Sequence, residues 1–272
     1  MDTNLRGRVA LVTGSSRGLG KTIAEALAME GVDVIINGRH GKTVGNTAYD
    51  IEHKHHHNIR AYQFICDVTN PEIVTKTLLN EKLFGIGQLD ILVNNVGNIE
   101  TFGRFEDLPE KAWQRSFELT FMSAVQFIKA SLPYLKKSDQ ARIINISSLS
   151  AHQPSFTGLN PHYGMAEAGM VNLTKNLAAD FGRYGITVNA ICPSTLSGGG
   201  WHKNIQDRAM RDNISPEEAE KLMTREENKK SPLRKMGELK DVANLVVYLA
   251  SAQASFLTGH CYNVDGGITR AV

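Results

Sequence analysis

Tyr163 and Glu167 stand four residues apart in "HYGMAEAGM", where the apolar spacing predicts a helix starting near residue 163. Residues at i and i+4 share one helix face, with Cβ atoms about 5–6 Å apart. A phenol and a carboxyl at that spacing titrate against each other. Unit charges about 5 Å apart interact by roughly 3 kcal/mol at an effective dielectric near 20, or about 2 pKa units. An ionised Glu167 therefore raises the tyrosine above its ordinary value of about 10. Burial works on the carboxyl as well and favours its neutral form. His152 and His162 are the nearest histidines in sequence and are read either as proton relays or as solvated loop positions. Lys175 is twelve residues past Tyr163, about 18 Å along a helix, and out of reach.

A second constellation lies near the start. "VALVTGSSRGLGKTIAEAL" places Gly14, Gly18 and Gly20 between an apolar strand and a helix. Glycines there permit a tight turn and close approach of backbone to a pyrophosphate, and the helix aims its first N–H groups at that charge. The second strand ends "IINGRH". A carboxylate at that place would suit a free ribose 2'-hydroxyl. Arg39 stands there instead, and Arg17 lies inside the glycine loop. Two guanidinium groups suit a 2'-phosphate, so the sequence points to NADP(H) over NAD(H).

The elements that must carry these residues alternate along the chain. Strands are predicted at 8–13, 33–38, 61–67, 91–95, 142–147, 187–192 and 261–264, and helices start near 18, 41, 71, 110, 163 and 241. This alternation, with near-continuous apolar strands, gives an α/β fold: one doubly wound Rossmann-type domain over residues 1–272, with a seven-stranded parallel sheet and helices on both faces. A helix over 110–137 carries Phe117, Phe121, Ala124, Ile128 and Leu132 on one stripe, read as core or helix–helix contact. Residues 194–232 break the rhythm. Their "SGGG" start and charged course read as an inserted substrate lid, with Trp201, His202, Met210 and Met223 as candidate ligand contacts.

At 272 residues, a net charge of +2 and no basic run, the chain carries no signature of nucleic-acid binding. No apolar run approaches membrane-spanning length, and the first residues read as a strand rather than a secretory segment. Cys66, Cys192 and Cys261 lie far apart and are read as buried, reduced thiols of a cytoplasmic protein. No metal is expected from spacing, and "HKHHH" at 53–57 is read as a solvated loop.

Together these motifs resemble the short-chain dehydrogenase/reductase family, over nearly the whole chain. "TGSSRGLG" matches its TGxxxGxG, "CDVT" contains Asp67 and Val68 of the adenine pocket, and "NNVG" stands for NNAG, with Asn95 and Gly97 near the cofactor. "INISS" leads to Ser148 at the serine position, "HYGMAEAGMVNLTKNLAADFGRYGITVNAICP" matches the tyrosine helix and the next strand, and "FLTGHCYNVDGG" matches the C-terminal signature. The resemblance also implies that Ser16, Leu19, Pro193 and Leu196 touch the cofactor, and that Tyr163 serves both cofactor and substrate. The departures fall at the chemistry. Glu167 replaces the family's lysine, Thr120 its asparagine, Ser194 the glycine of PGxxxT and Gly198 the threonine.

The resemblance implies catalysis by Ser148 and Tyr163, with Glu167 and Thr120 as altered neighbours. The leading expectation is an NADP(H)-dependent oxidoreductase that reduces a small, partly apolar carbonyl, since a raised tyrosine pKa favours proton donation over alcohol oxidation. A carboxylate at 167 can still accept hydrogen bonds from ribose hydroxyls. Two other classes stay open: a silent nucleotide-binding homologue, and a non-redox lyase, isomerase or hydrolase using Glu167 and Tyr163. The family commonly pairs the helices matching 110–137 and 163–183 here, so a homo-oligomer, tetramer or dimer, is expected.

Overall fold

The computed structural model describes residues 2–54, 58–78, 87–154 and 158–270. One parallel sheet contains β1 Val9–Val12, β2 Asp33–Gly38, β3 Ala61–Ile65, β4 Ile91–Asn94, β5 Arg142–Ile146, β6 Thr187–Pro193 and β9 Cys261–Val264. The short β7 Leu196–Ser197 and β8 Gly237–Glu238 pair with each other. The sheet order is β3-β2-β1-β4-β5-β6-β9. The reversal of direction between β1 and β4 makes it doubly wound, and ligands of such sheets bind at the carboxyl ends of the strands.

β1, β4, β5 and β6 are buried throughout, as strands covered on both faces must be. At the edge, β3 buries only Phe64. The helices are α1 Gly18–Met29, α2 Gly41–Lys54, α3 Pro71–Leu78, α4 Glu110–Ser116, α5 Ser123–Leu135, α6 Pro161–Phe181, α7 Trp201–Asp212, α8 Pro216–Lys230 and α9 Leu239–Ala250. On one face Ala24, Leu27, Val246 and Leu249 of α1 and α9 meet Val12, Val34 and Ile144. On the other, Val74, Phe127 and Phe181 of α3, α5 and α6 meet Leu11, Leu92 and Ile143. None of the described helices is long and apolar enough to cross a membrane.

Three expectations need correction. The helix over 110–137 is broken by a π-helical turn at Phe117–Met122. The wider turn re-phases the helix, so the expected stripe does not share one face. Ala124 and Ile128 are buried, while Phe117 is 40% exposed and stacks on Phe121 with ring centroids 5.0 Å apart. The same turn faces Thr120 inward, at 1% exposure.

The insert is also ordered. α7 and α8 form a helical pair around Trp201, Ile205, Ala209 and Ala219, with Met223 packed against them. Ser215 caps α8 by accepting the Glu218 N–H at 3.1 Å, and Pro216 takes the first helical position. Trp201 and Met223 therefore serve the insert's own core, and Met210 is 80% exposed. In "HKHHH", His53 and Lys54 belong to α2, with His53 stacked on Tyr49 at 3.9 Å, and residues 55–57 lie outside those described.

α6 is fixed to the sheet by a buried polar chain. The Asn94 amide donates to Asn145 Oδ1 at 2.8 Å, and the Asn145 amide donates to Thr174 Oγ1 at 2.8 Å. Thr174 in turn donates to the Met170 carbonyl at 2.9 Å. Thr174→Val keeps the side-chain shape but leaves the Asn145 amide without its acceptor. A loss of about 1–3 kcal/mol in urea unfolding is expected; unchanged stability would show that the chain does not hold the helix.

Candidate active site

The glycine loop is built as the sequence requires. Gly14 has φ +64°, and a Cβ on Gly20 would lie 2.5 Å from the Gly14 carbonyl oxygen. Only hydrogen fits at residue 20. Ser16 gives its carbonyl to the Thr47 hydroxyl at 2.9 Å, and Leu19 packs against the core beneath. No side chain caps α1, and its first turn holds no acid, so its leading N–H groups stay open to an anion. Arg17 and Arg39 are exposed, and among the described residues no ion pair engages either. Burial would raise the Asp67 carboxyl, but the Thr69 N–H and hydroxyl and the charge of Arg39 outweigh it and hold Asp67 below the usual range. Val68 beside it is buried.

Two asparagines hold this loop. Asn95 donates through Nδ2 to the Thr13 carbonyl at 3.0 Å and through its backbone N–H to the Thr13 hydroxyl oxygen at 2.9 Å. Asn37 was not singled out in the sequence. Wholly buried, it accepts the Gly14 N–H at 3.0 Å and donates to the Phe64 carbonyl at 3.0 Å. An asparagine inside an otherwise apolar strand was the available signal.

On the other side of the sheet's carboxyl edge, Tyr163 sits in the first turn of α6, which follows the left-handed Asn160. Asn160 Oδ1 accepts the Gly103 N–H at 3.1 Å, tying two loops together. The Tyr163 hydroxyl faces both Ser148 and the Glu167 carboxyl. Burial first, then the Glu167 charge, raise Tyr163 well above its ordinary value, against the Ser148 hydroxyl. Glu167 is 1% exposed, and burial pushes its pKa up to about 7 in spite of Tyr163 and Ser147. A Cβ on Gly97 would lie 3.2 Å from Glu167 Oε1 and 3.6 Å from Thr120 Oγ1, so these three converge. Among the described residues, Glu167 Oε2 and Thr120 Oγ1 are both buried without a hydrogen-bond partner. Such atoms mark a place where a ligand hydroxyl or water belongs.

Pro193 ends β6, Leu196 opens β7, and Ser194 donates its N–H to the Val264 carbonyl at 3.1 Å. The root of the insert lies beside the glycine loop, with the Gly199 Cα 3.5 Å from where a Gly18 Cβ would stand. Its far end is held by Ser231, whose hydroxyl donates to the Gly266 carbonyl at 3.0 Å. Of the two histidines, His162 differs from expectation, while His152 is exposed. His162 is 2% exposed, packs edge-on to Trp113 at 6.0 Å and is lowered by burial, so it is a core residue. His152 turns to Cys261, at 3.1 Å.

The family profile described as Enoyl-(Acyl carrier protein) reductase matches residues 14–269. The chain belongs to the short-chain dehydrogenase/reductase family. It is 31% identical over 272 residues to the oxidoreductase YvaG of Bacillus subtilis (strain 168), covering 100% of both chains. It is 30% identical over 269 residues to the 3-oxoacyl-[acyl-carrier-protein] reductase FabG of Aquifex aeolicus (strain VF5), covering 98% of this chain and 100% of that one. Among solved structures, the L-sorbose reductase of Gluconobacter frateurii, complexed with NADPH and L-sorbose, superposes with a TM-score of 0.91 at 27% identity over 100% of both chains. The family relatives are oxidoreductases, and the seven-stranded Rossmann-type sheet is theirs.

The buried carboxyl has a thermodynamic signature. Its folded pKa of about 7 exceeds the unfolded value, near 4.3 for a free glutamate. Between those values the folded protein binds more protons than the unfolded one, so stability falls as pH rises through the window. The full penalty above pH 7 is at most about 3.5 kcal/mol. Glu167→Gln should therefore be the more stable protein at pH 8, with the difference vanishing below about pH 4. Melting curves of both from pH 4 to 8.5 test this, and parallel curves would mean that Glu167 is not a buried acid.

Proposed function

We propose that this chain is an NADP(H)-dependent carbonyl reductase of the short-chain dehydrogenase/reductase family. The observation that carries the reading is the Tyr163 phenol, held neutral by burial and by Glu167 and facing Ser148. The cradle at Gly14, Arg17, Gly18 and Gly20 would hold the pyrophosphate at the open end of α1, with Ser16, Arg17 and Arg39 at the 2'-phosphate and Asp67 and Val68 at the adenine. Asn95, Gly97, Leu19, Pro193 and Leu196 line the remaining path, and Glu167 Oε2 offers an acceptor to a ribose hydroxyl. When bound, the nicotinamide supplies the hydride.

The protein's own part is proton transfer. Ser148 holds the substrate carbonyl oxygen, and Tyr163 gives its proton to that oxygen as the alcohol forms. A phenolate is then left beside Glu167. A protonated carboxyl of pKa about 7 is a stronger acid than that phenol and can return the proton. Lysine at this position would favour the phenolate, and glutamate favours the phenol. Loop residues Phe102, 59% exposed, and Leu159, 39% exposed, flank the tied pair Gly103 and Asn160 and suit an apolar part of the substrate. The insert 194–232 acts as the lid, its glycine root lying against the phosphate cradle.

A ketone panel with NADPH and NADH tests the reading. NADPH-dependent reduction is expected, falling above pH 7 as Glu167 ionises. Glu167→Lys should gain alcohol oxidation at neutral pH by about tenfold or more. Arg39→Ala should weaken NADPH binding by roughly 10- to 100-fold and leave NADH binding almost unchanged. NADPH binding without turnover in the wild type, with turnover restored by Glu167→Lys, would overturn the catalytic reading in favour of a binding protein. We also infer a homo-oligomer that covers the exposed Phe117, stacked on Phe121, and light scattering at the monomer mass would refute it.

A further inference from the structure

The fold gathers three soft donors that the sequence holds far apart. His152 and Cys261 are separated by 109 residues, and Cys192 and Cys261 by 69. Cys192 lies near the end of β6, Cys261 opens β9, and His152 follows the short turn after Ser148. His152 Nε2 is 3.1 Å from Cys261 Sγ, and the two sulfurs are 2.8 Å apart. All three donor atoms lie within 4.8 Å of one another. Cys192 is buried, Cys261 half-buried and His152 exposed, so the group opens to solvent on the histidine side. All three thiols are free as expected and two are buried, but Cys192 and Cys261, expected to lie apart, meet.

We propose that His152, Cys192 and Cys261 form a binding site for one thiophilic divalent cation, with zinc the best fit to two thiolates and an imidazole. The strand register separates this use from a disulfide. Ala190 stands opposite Cys261 and Cys192 opposite Asn263, so the cysteines are diagonal neighbours on one face. Two residues along and one strand across put their Cα atoms about 8 Å apart. A disulfide needs less than about 7 Å without backbone movement. A tetrahedral zinc bonds each sulfur at about 2.3 Å and holds the pair about 3.8 Å apart, which asks only for side-chain rotation of about 1 Å. Binding replaces two S–H bonds by two Zn–S bonds and releases two protons to solvent, with no electron transferred. Water fills the fourth position. The ion then ties the turn after Ser148 to both strands. The Ser147 side chain and the Ser148 backbone also face Cys192, so the tie reaches the serine that meets Tyr163.

The test uses the full chain, purified without chelator. Zinc content is read by mass spectrometry of the metal, affinity by competition with a chromophoric chelator, and ligation by the thiolate-to-metal absorption of the cobalt-substituted protein. About one zinc per chain is expected, with thiolate absorption on cobalt. Cys261→Ser should weaken binding by about 100-fold or more, and His152→Ala, a surface change that should not disturb folding, by roughly tenfold or more. Cys66→Ser should bind as the wild type does. The proposal fails if the wild type takes up neither zinc nor cobalt, if both site variants bind as tightly as the wild type, or if fresh protein carries a Cys192–Cys261 disulfide in unreduced peptide maps.

Discussion

The hydrogen-bonded chain from Asn94 through Asn145 to Thr174 sets where α6 lies, and most of the site follows from that. Apolar contacts hold a helix against a sheet but define its position along the strands weakly, because one branched side chain resembles the next. A buried amide has no such tolerance, since a shift of an ångström or two leaves donors unpaired in a dry interior. Asn145 is on β5, and Ser148 follows that same strand by two residues. Tyr163 and Glu167 are on the helix that Asn145 holds. The phenol and the serine are thus both referred to one strand, and the loop tie between Asn160 and Gly103 fixes the helix's first turn.

With the helix placed, Glu167 has nowhere to go but inside. At 1% exposure it breaks the usual pattern in which a buried charge has a partner, and the groups that act on it, Tyr163 and Ser147, carry no positive charge. The way out is protonation. The site therefore holds a titrating group at the position where the sequence resemblance implies a lysine. The neighbouring Thr120 and Gly97 leave room for it, because a side chain at residue 97 would press on the carboxyl. Thr120 and Glu167 border the same small space beside Gly97.

Much of this was legible in the sequence. The strands fall within two residues of where apolar runs put them, because a strand buried on both faces must be apolar throughout. Tyr163 faces Ser148 and Glu167, and the glycine loop closes on itself as its spacing indicates. What escaped depends on contacts between distant residues or on local geometry with no strong signature. The π turn hides inside a good helical pattern. The insert's helices are charged and short of apolar residues, so the capping signal "SPEE" is followed by no apolar periodicity to mark a helix. Asn37 serves a loop twenty-three residues upstream, and Cys192 meets Cys261 only because β6 and β9 are neighbours.

The π turn at Phe117–Met122 separates two things that a regular helix binds together. Each residue of an α-helix turns the chain by about 100°. Removing one residue from this turn would rotate either α4, with Trp113 against His162, or α5, with Phe127 against Phe64, out of its seat. The number of residues between those two anchors is therefore frozen by packing on both sides. The identity of what lies between them is not. A side chain at position 120 is delivered to the same spot whatever its chemistry, so its identity can change and leave the backbone address untouched.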